Sequence, residues 1–185
     1  MKRCDWLNLN NELYVKYHDD EWSVPVHDDN KLFEFLILEG AQAGLSWETV
    51  LKKRENYRKA FSGFNPKLIS KFDDSDFDRL MNDEGIIRNR LKIKSAINNA
   101  QLFLKIQEEF GSFDNYIWKF VGNKQIVNTF KTVEEIPAKT EISDNISKDL
   151  KKRGFNFVGS TIMYAFMQAV GMVNDHTTDC FCYNC

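Results

Sequence analysis

Two cysteines and two histidines from opposite ends of the chain form a candidate metal-binding set. Cys4 and His18 lie near the N-terminus, and His176 and Cys180 lie near the C-terminus. Two thiolates and two imidazoles complete a tetrahedral Zn²⁺ site, and four protein ligands leave no position for catalytic water. We therefore expect a structural ion that joins both ends of the fold and contributes to folding free energy. Chance pairing is the alternative, because Cys4 and His18 follow no standard zinc-finger spacing.

The remaining cysteines and the third histidine carry weaker signals. Cys182 and Cys185 form a C-x-x-C pair that could compete for metal or act as a redox pair. A redox role is disfavoured because chain ends are usually loosely held. His27 is expected to be a surface loop residue.

Composition bounds the class of protein. The 185 residues, 43% of them hydrophobic, are enough for a core in one domain or two packed lobes. The chain has no run of about 18 apolar residues and no basic-then-apolar leader, so we expect a soluble, cytoplasmic protein without membrane contact. Four cysteines then favour metal ligands or free thiols over disulfides. With a net charge of −2, any nucleic-acid binding must rest on a local basic patch.

The spacing of apolar and capping residues predicts an all-α protein. Only the stretch from Lys124 to Phe130 has an extended pattern, and it has no obvious partner strand. The predicted helices run from Asp28 or Asp29 to about Ala43, from Trp47 to about Phe61 behind a Ser46 cap, from Pro66, from Arg90 to Phe110, from Phe113 behind a Ser112 cap, from Ser143 to Arg153 and from Ser160 to Gly171.

The predicted hairpin at about 143–171 has features of a DNA-binding motif. A basic helix end is followed by a glycine-bounded turn and a new helix start, a pattern that suits a helix-hairpin-helix gripping backbone phosphates. An ordinary helical hairpin, whose cations complement the helix dipole, explains it equally well. A second basic segment, 88–94, is interpreted as a solvated helix face. The candidate DNA-binding residues of the hairpin are Lys151, Lys152, Arg153, Gly154 and Gly159.

Aromatic residues near the N-terminus accompany a carboxylate on an apolar face. Glu39 follows Leu36, Phe35 and Leu32 by three, four and seven positions, so helical periodicity directs it toward the core. A buried carboxylate is unfavourable unless a partner compensates it. Most aromatic clusters are simply core, but one that contains such a group can receive a flat, cationic or hydrogen-bonding ligand. The aromatic residues are Trp6, Tyr14, Tyr17, Trp22 and Trp47.

Several long blocks in the same order carry a family resemblance. They include Tyr-His-Asp-x-Glu-Trp at 17–22, Gln-Ala-Gly-Leu-Ser-Trp at 42–47, Leu-Lys-Lys-Arg-Gly-Phe-x-Phe-Val-Gly at 150–159 and Val-Asn-Asp-His at 173–176. Together with shorter blocks at 3–6 and 50–58, they closely resemble bacterial 3-methyladenine DNA glycosylase type I, within the helix-hairpin-helix glycosylase superfamily.

The resemblance implies a fold, a metal and a reaction. It implies one compact glycosylase domain over 1–185, a monomer that removes 3-methyladenine from alkylated double-stranded DNA and releases the free base. It also implies one structural zinc ion per chain. The zinc ligands fall on Cys4, His18, His176 and Cys180, and the base pocket falls on Glu39, Tyr14, Tyr17 and Trp47, with Trp6 and Trp22 beside it.

The implied reaction assigns roles to few side chains. Such an enzyme extrudes the nucleotide, stacks the base and stabilises an oxocarbenium-like sugar while water attacks. Glu39 and Tyr17 are the candidate catalytic-site groups, and Glu39 is expected to recognise the adenine edge. Gly44 and Leu45 either fill the gap left by the extruded base or form a simple turn. Asp175 precedes a presumed metal ligand and is interpreted as structural, so the water-activating group is unassigned.

Two other classes of protein could contain the same residues. A zinc-containing DNA-binding protein without activity would have no use for a buried Glu39 among aromatic rings. A zinc hydrolase would need an open coordination position, which a set of four ligands does not leave.

Overall fold

The computed structural model describes residues 1–184, and Cys185, one half of the C-x-x-C pair, lies outside the described residues. The chain is mostly helical. Its helices are α1 (Glu12–Asp20), α2 (Asp29–Gln42), α3 (Trp47–Ala60), α4 (Pro66–Ile69), α5 (Asp74–Met81), α6 (Arg90–Phe110), α7 (Phe113–Ile117), α8 (Glu141–Lys152) and α9 (Ser160–Ala169), with 3-10 turns at Ser62–Phe64, Trp118–Val121, Val133–Glu135 and Phe181–Asn184. None of the described helices is long and apolar enough to cross a membrane.

The capping residues seen in the sequence begin the predicted helices. The side chain of Asp28 accepts a hydrogen bond from the backbone of Lys31 at the start of α2, and Ser46 does the same for Thr49 in α3. Each cap satisfies a backbone N–H group that has no partner within the helix. The prediction of α6 from Arg90 to Phe110 is confirmed at both ends.

Three elements differ from the sequence prediction. Helices α1 and α5 were not among the predicted helices, although Asn11 caps the start of α1 and Asp73 and Asp76 form a capping box at the start of α5. The extended stretch does have a partner, because β1 (Ile126–Val127) pairs in parallel with β2 (Val173–Asn174). Since the paired strands are far apart in sequence, no local pattern could reveal their pairing. The expectation of an all-α protein therefore needs this small two-stranded sheet as a correction.

Helix α2 lies at the centre of the fold. It packs against α3, α6, α7 and α9, and every residue from Leu32 to Ala41 is buried. A helix that is buried on all sides must bury any charged residue that it contains. Glu34 and Glu39 are both in this buried stretch, so the central position of α2 determines the environment of each carboxylate.

Backbone contacts hold the N-terminal segment against the C-terminal one. The backbone N–H of Ser23 donates to the carbonyl of Gln168, and that of Val26 donates to Val170. Near the end of the described chain, the N–H of Phe181 donates to the carbonyl of Lys2. These contacts bring the two cysteine-and-histidine pairs to one place.

Candidate functional site

A cavity of about 330 Å³ opens between the N-terminal helices and α9. All six residues that the sequence predicted for a base pocket line it. Tyr14 and Tyr17 come from α1, Glu39 from α2 and Trp47 from the start of α3. Its lining residues are Trp6, Tyr14, Tyr17, Trp22, Glu39, Gln42, Trp47, Val133, Ile136, Ala165 and Gln168.

Aromatic rings form most of the cavity wall. The ring centroids of Trp6 and Trp22 are 4.8 Å apart in an edge-to-face arrangement, and those of Tyr17 and Trp47 are 5.3 Å apart. Phe35 lies behind Trp47, with the centroids 6.5 Å apart and the rings nearly parallel. Rings packed against other rings lose little freedom when a ligand binds, so this wall is pre-organised for a flat guest.

The two buried glutamates of α2 differ in their partners. Glu34, 2% exposed, accepts a hydrogen bond of 2.6 Å from Arg54 Nε and one of 2.8 Å from Arg58 Nη2. Glu39, 3% exposed, has no charged partner, and burial alone raises its pKa to about 8. Glu39 is therefore mainly a neutral carboxylic acid at pH 7, with both a donor and an acceptor to offer.

Three polar atoms beside the cavity have no hydrogen-bond partner among residues 1–184. They are Trp6 Nε1, Trp47 Nε1 and Glu39 Oε2, all of them buried. Buried polar atoms are rarely left unpaired in native proteins. Unpaired atoms around a cavity therefore indicate that a ligand or water forms the hydrogen bonds. The cavity can thus accept a guest that is flat and polar at its edge.

Tyr17 supplies a further polar group at the cavity. Burial raises the pKa of its phenol well above the ordinary value, and the nearby Glu39 acts in the same direction. Tyr17 therefore keeps its proton and can act as a hydrogen-bond donor.

Asp175 does not line the cavity. It is fully buried and accepts hydrogen bonds of 2.7 Å from the Tyr164 hydroxyl, 2.8 Å from Gln168 Nε2 and 2.7 Å from Asn128 Nδ2. Because the Gln168 amide nitrogen donates to Asp175, this hydrogen bond fixes the orientation of the Gln168 amide in the cavity wall. This geometry supports the structural interpretation of Asp175.

Sequence reasoning missed five of the lining residues. Gln42 follows Glu39 by three positions, so the helical period that placed Glu39 could have found it. Ala165 and Gln168 lie on α9, whereas Val133 begins a 3-10 turn and Ile136 follows it. All four come from segments distant from Glu39 in the sequence and carry no local signal.

The four candidate metal ligands form one buried cluster. Their ligand atoms all lie within 4.8 Å of one another. Cys4 Sγ is 3.5 Å from His176 Nδ1, and Cys180 Sγ is 3.6 Å from both His18 Nε2 and His176 Nδ1. A tetrahedral ion bonded to sulfur at about 2.3 Å and to nitrogen at about 2.0 Å requires a sulfur-to-nitrogen separation of about 3.5 Å. The cluster therefore fits a metal ion.

The outer nitrogen of each histidine is held by another group. His18 Nδ1 is 2.8 Å from Asp19 Oδ1, and Arg3 in turn binds Asp19 with two nitrogens. His176 Nε2 is 3.3 Å from the carbonyl oxygen of Trp22. A proton on each outer nitrogen leaves the inner nitrogen free to bind a metal, as in many metal sites. Burial lowers the pKa of both imidazoles, to about 4 for His176, which favours the neutral form that metals bind.

Cys182 and His27 have more limited roles. Cys182 is buried and forms an alternative ligand group with His18 and Asp19, so it competes for His18 only. His27 is on the surface as expected, where its Nδ1 lies 2.8 Å from Asp114 and its ring stacks on Trp118.

The hairpin between α8 and α9 has the shape that the sequence predicted. Helix α8 starts two residues before the predicted Ser143, and α9 ends two residues before Gly171. Gly154 has a φ of 97°, which other residues rarely adopt, and Gly159 precedes α9 without a side-chain cap. Lys151 and Lys152 are exposed. The uncapped N–H groups of α9 are thus available to an anion.

Arg153 differs from the two lysines beside it. Its guanidinium forms ion pairs with Glu109 at 2.6 Å and with Asp149 at 2.9 Å, and it lies over the rings of Phe110 and Tyr116. A guanidinium held by two carboxylates is less available to phosphate than a free lysine, so Arg153 has mainly a packing role in this structure.

The turn between α2 and α3 projects an apolar side chain. Gly44 has a φ of 79°, and Leu45, which follows it, is 42% exposed. Both residues are next to the cavity, because Gln42 precedes them and Trp47 follows them. An exposed leucine at this turn is compatible with the filling of a gap in DNA, one of the two roles that the sequence left open.

A sequence model described as methyladenine glycosylase matches residues 6–183. The chain belongs to this family. It is 51% identical over 183 residues to DNA-3-methyladenine glycosylase 1 of Escherichia coli strain K12, which covers 99% of this chain and 97% of that protein. The family resemblance noted in the sequence is therefore confirmed.

Solved structures of the family have the same fold. A crystal structure of 3-methyladenine DNA glycosylase I matches with a TM-score of 0.95 and 50% identity, covering 98% of this chain and 99% of that one. A single-residue variant of 3-methyladenine DNA glycosylase I in complex with 3-methyladenine matches with a TM-score of 0.94 and 35% identity, covering 98% and 97%.

The burial of Glu39 predicts a pH-dependent stability. Because folding raises its pKa from 4.5 to about 8, the folded state binds more protons than the unfolded state between these pH values. The free energy of unfolding should therefore fall as pH rises through this window, by roughly 4 kcal/mol relative to Glu39→Gln. Urea unfolding of both proteins from pH 4.5 to 8.5 measures this difference. Parallel pH profiles would mean that Glu39 is ionised in the folded protein.

Proposed function

We propose that this protein hydrolyses the N-glycosidic bond of 3-methyladenine in alkylated double-stranded DNA and releases the free base. The observation that carries the proposal is the buried carboxyl group of Glu39 in an aromatic cavity, with an Oε2 that has no hydrogen-bond partner among the described residues. A DNA-binding protein without activity has no need for such a group. The four-ligand cluster of cysteines and histidines argues against a zinc hydrolase, because it leaves no coordination position for water.

The cavity provides a physical basis for choosing the damaged base. Alkylation at N3 makes the adenine of DNA cationic, and electron-rich rings such as Trp47 and Tyr17 attract a desolvated cation by about 2 kcal/mol or less. A cation beside Glu39 favours the ionised carboxylate, since an opposite charge lowers a carboxyl pKa. Undamaged adenine carries no charge and gains neither interaction.

The same charge explains why few catalytic groups are needed. A cationic base is already a good leaving group, so bond breaking needs little protonation by the protein. Glu39 and Tyr17 hold the edge of the extruded base, and the developing positive charge moves to the sugar, where water attacks. Asp175 is not placed to activate that water, because it lies outside the cavity lining and its oxygens accept from three internal donors.

Replacing Glu39 with glutamine tests recognition. The variant keeps the shape of the side chain but removes the charge and exchanges one acceptor for a donor. Hydrogen bonds to charged groups contribute about 1.5–3 kcal/mol, so release of 3-methyladenine from methylated DNA should fall roughly ten- to a hundredfold. Single-turnover release of labelled base measures the effect.

The matched control is Glu48→Gln, at a carboxylate outside the cavity that pairs with Lys52. It should release base at close to the wild-type rate. Wild-type activity in Glu39→Gln, with folding unchanged, would remove Glu39 from the pocket assignment.

The hairpin and the α2–α3 turn supply contacts for DNA in this proposal. Lys151, Lys152 and the N–H groups at the start of α9 bind backbone phosphates, and Gly154 and Gly159 let the backbone approach closely. Leu45 enters the gap that the extruded nucleotide leaves. These contacts do not depend on the base sequence of the DNA, which suits an enzyme that must act wherever damage occurs.

Charge reversal at Lys151 and Lys152 tests the hairpin. Replacing both lysines with Glu should weaken binding to any duplex, whatever its sequence. Binding should also release about two fewer counterions, so affinity should depend less steeply on salt concentration. Reversing Lys71 and Lys105, which are also exposed, makes the same change in net charge elsewhere. Fluorescence anisotropy of labelled duplex DNA across a salt series compares the affinities of the two double variants. An equal loss in both double variants would assign the effect to overall charge.

We also propose that the cluster of Cys4, His18, His176 and Cys180 holds one structural zinc ion. The mixed sulfur and nitrogen donors, their spacing and the supported histidine tautomers suit Zn²⁺. The ion crosslinks the two ends of the chain. The chain itself acts as one monomeric domain. Because α2 packs against helices from both halves of the sequence, a single domain is the natural unit.

Removal of one ligand tests the zinc proposal. Cys180→Ser should lower both the zinc content of the purified protein and its melting temperature, because the binding energy of such a site is folding energy. Cys182→Ser changes a neighbouring buried cysteine outside the four-ligand set and should retain zinc. Metal analysis and thermal unfolding measure both variants. A Cys180→Ser protein that loses zinc but keeps its melting temperature would contradict a structural role.

A further inference from the structure

The last turn of α2 ends in carbonyl groups that its own helix cannot satisfy. The N–H of Ala43 donates to the carbonyl of Gly40, and that of Leu45 donates to Gln42 at 2.6 Å. The carbonyl oxygens of Ala41 and Ala43 require partners from elsewhere. The last turn of α2 contains no basic residue that could supply one.

Lys92 supplies both partners from another helix. It lies in the first turn of α6, and its Nζ is 2.7 Å from the carbonyl oxygen of Ala41 and 2.7 Å from that of Ala43. A cation at a helix C-terminus also interacts favourably with the helix dipole. Sequence reasoning placed Lys92 on a solvated helix face, and the structure corrects this, because the ammonium group turns inward toward α2. Burial lowers the pKa of Lys92, as expected for a partly desolvated amine.

The turn that Lys92 holds is the one that joins the cavity to the proposed DNA contact. Gln42, between the two bonded carbonyls, lines the cavity. Gly44 and Leu45 follow directly, and Ser46 caps the helix that begins with Trp47. Few other contacts fix this segment, since residues 44–46 are exposed.

We propose that Lys92 is a positioning residue for base extrusion, which holds the α2–α3 turn in the shape that presents Leu45 to DNA. The inference rests on the proposed function. Lys92 suits this role because one ammonium group offers three donors and can bridge two carbonyls. Glu39 lies one turn earlier in α2, and the surrounding core holds it independently of Lys92. Extrusion should therefore depend on Lys92, whereas binding of the free base should not.

Lys92→Met keeps the length of the stem and removes the donors. Single-turnover release of base from methylated DNA should fall about tenfold to a hundredfold, as expected when a group is misplaced by about 1 Å. Affinity for free 3-methyladenine, measured by tryptophan fluorescence, should stay within twofold of wild type. The Leu45 amide, which is hydrogen-bonded in the native turn, should exchange with solvent at least tenfold faster in the variant.

Two further variants separate positioning from charge and from general packing. Lys94→Met removes the same charge from an exposed residue two positions away and should release base at close to the wild-type rate. Lys92→Arg keeps donors at the end of a long side chain and should recover most of the rate. If Lys92→Met does not fold, Lys92→Gln, whose shorter side chain cannot bridge both carbonyls, is compared with Lys92→Arg.

The outcomes are distinct. Wild-type release by Lys92→Met, an equal loss in Lys94→Met, or an unchanged Leu45 amide would each overturn the positioning role. A parallel loss of free-base binding would also overturn it, because Lys92 would then support the whole pocket. Failure of the wild-type protein to release 3-methyladenine would instead reject the proposed function, and amide exchange would still report on the turn.

Discussion

The burial of Glu39 without a charged partner is the constraint on which the site depends. Helix α2 passes through the middle of the fold, so Glu34 and Glu39 are almost completely buried. A buried charge is unfavourable without a partner. Two arginines compensate the burial of Glu34, whereas Glu39 has a raised pKa that favours its neutral, protonated form. A group of this kind lowers the stability of the free protein at neutral pH. A ligand in the aromatic cavity that interacts with the Glu39 carboxyl group would account for its presence there.

The proposed metal site and the cavity share a wall. His176 lies 4.6 Å, ring to ring, from Trp22 and donates toward the carbonyl of that residue, and His18 lies 5.3 Å from Trp6. Both tryptophans line the cavity. A bound ion would therefore fix two of the aromatic rings as well as the chain ends, and the stability of the fold and the order of the pocket would be linked through the same histidines.

The sequence predicted the parts of this protein that have local signals. Caps such as Asp28 and Ser46 located helix starts, and the helical period placed Glu39 in the core. The cysteines and histidines were recognised by their chemistry, although only the fold could bring them together. The aromatic residues were candidates because they accompany Glu39, and the family resemblance favoured a base pocket over an ordinary core cluster.

Interactions between distant segments were not predictable in the same way. The pairing of β1 with β2, the contact of Asn128 with Asp175 and the inward turn of Lys92 each join residues that are far apart in the chain. In the sequence, Lys92 is one of several cations in a basic stretch, and nothing local distinguishes it from its exposed neighbour Lys94. The difference arises because α6 begins beside the C-terminus of α2, where unsatisfied carbonyls provide a better environment than water for one ammonium group. Tertiary structure thus converts an ordinary surface charge into a helix cap, and places that cap at the turn where the cavity would meet the DNA.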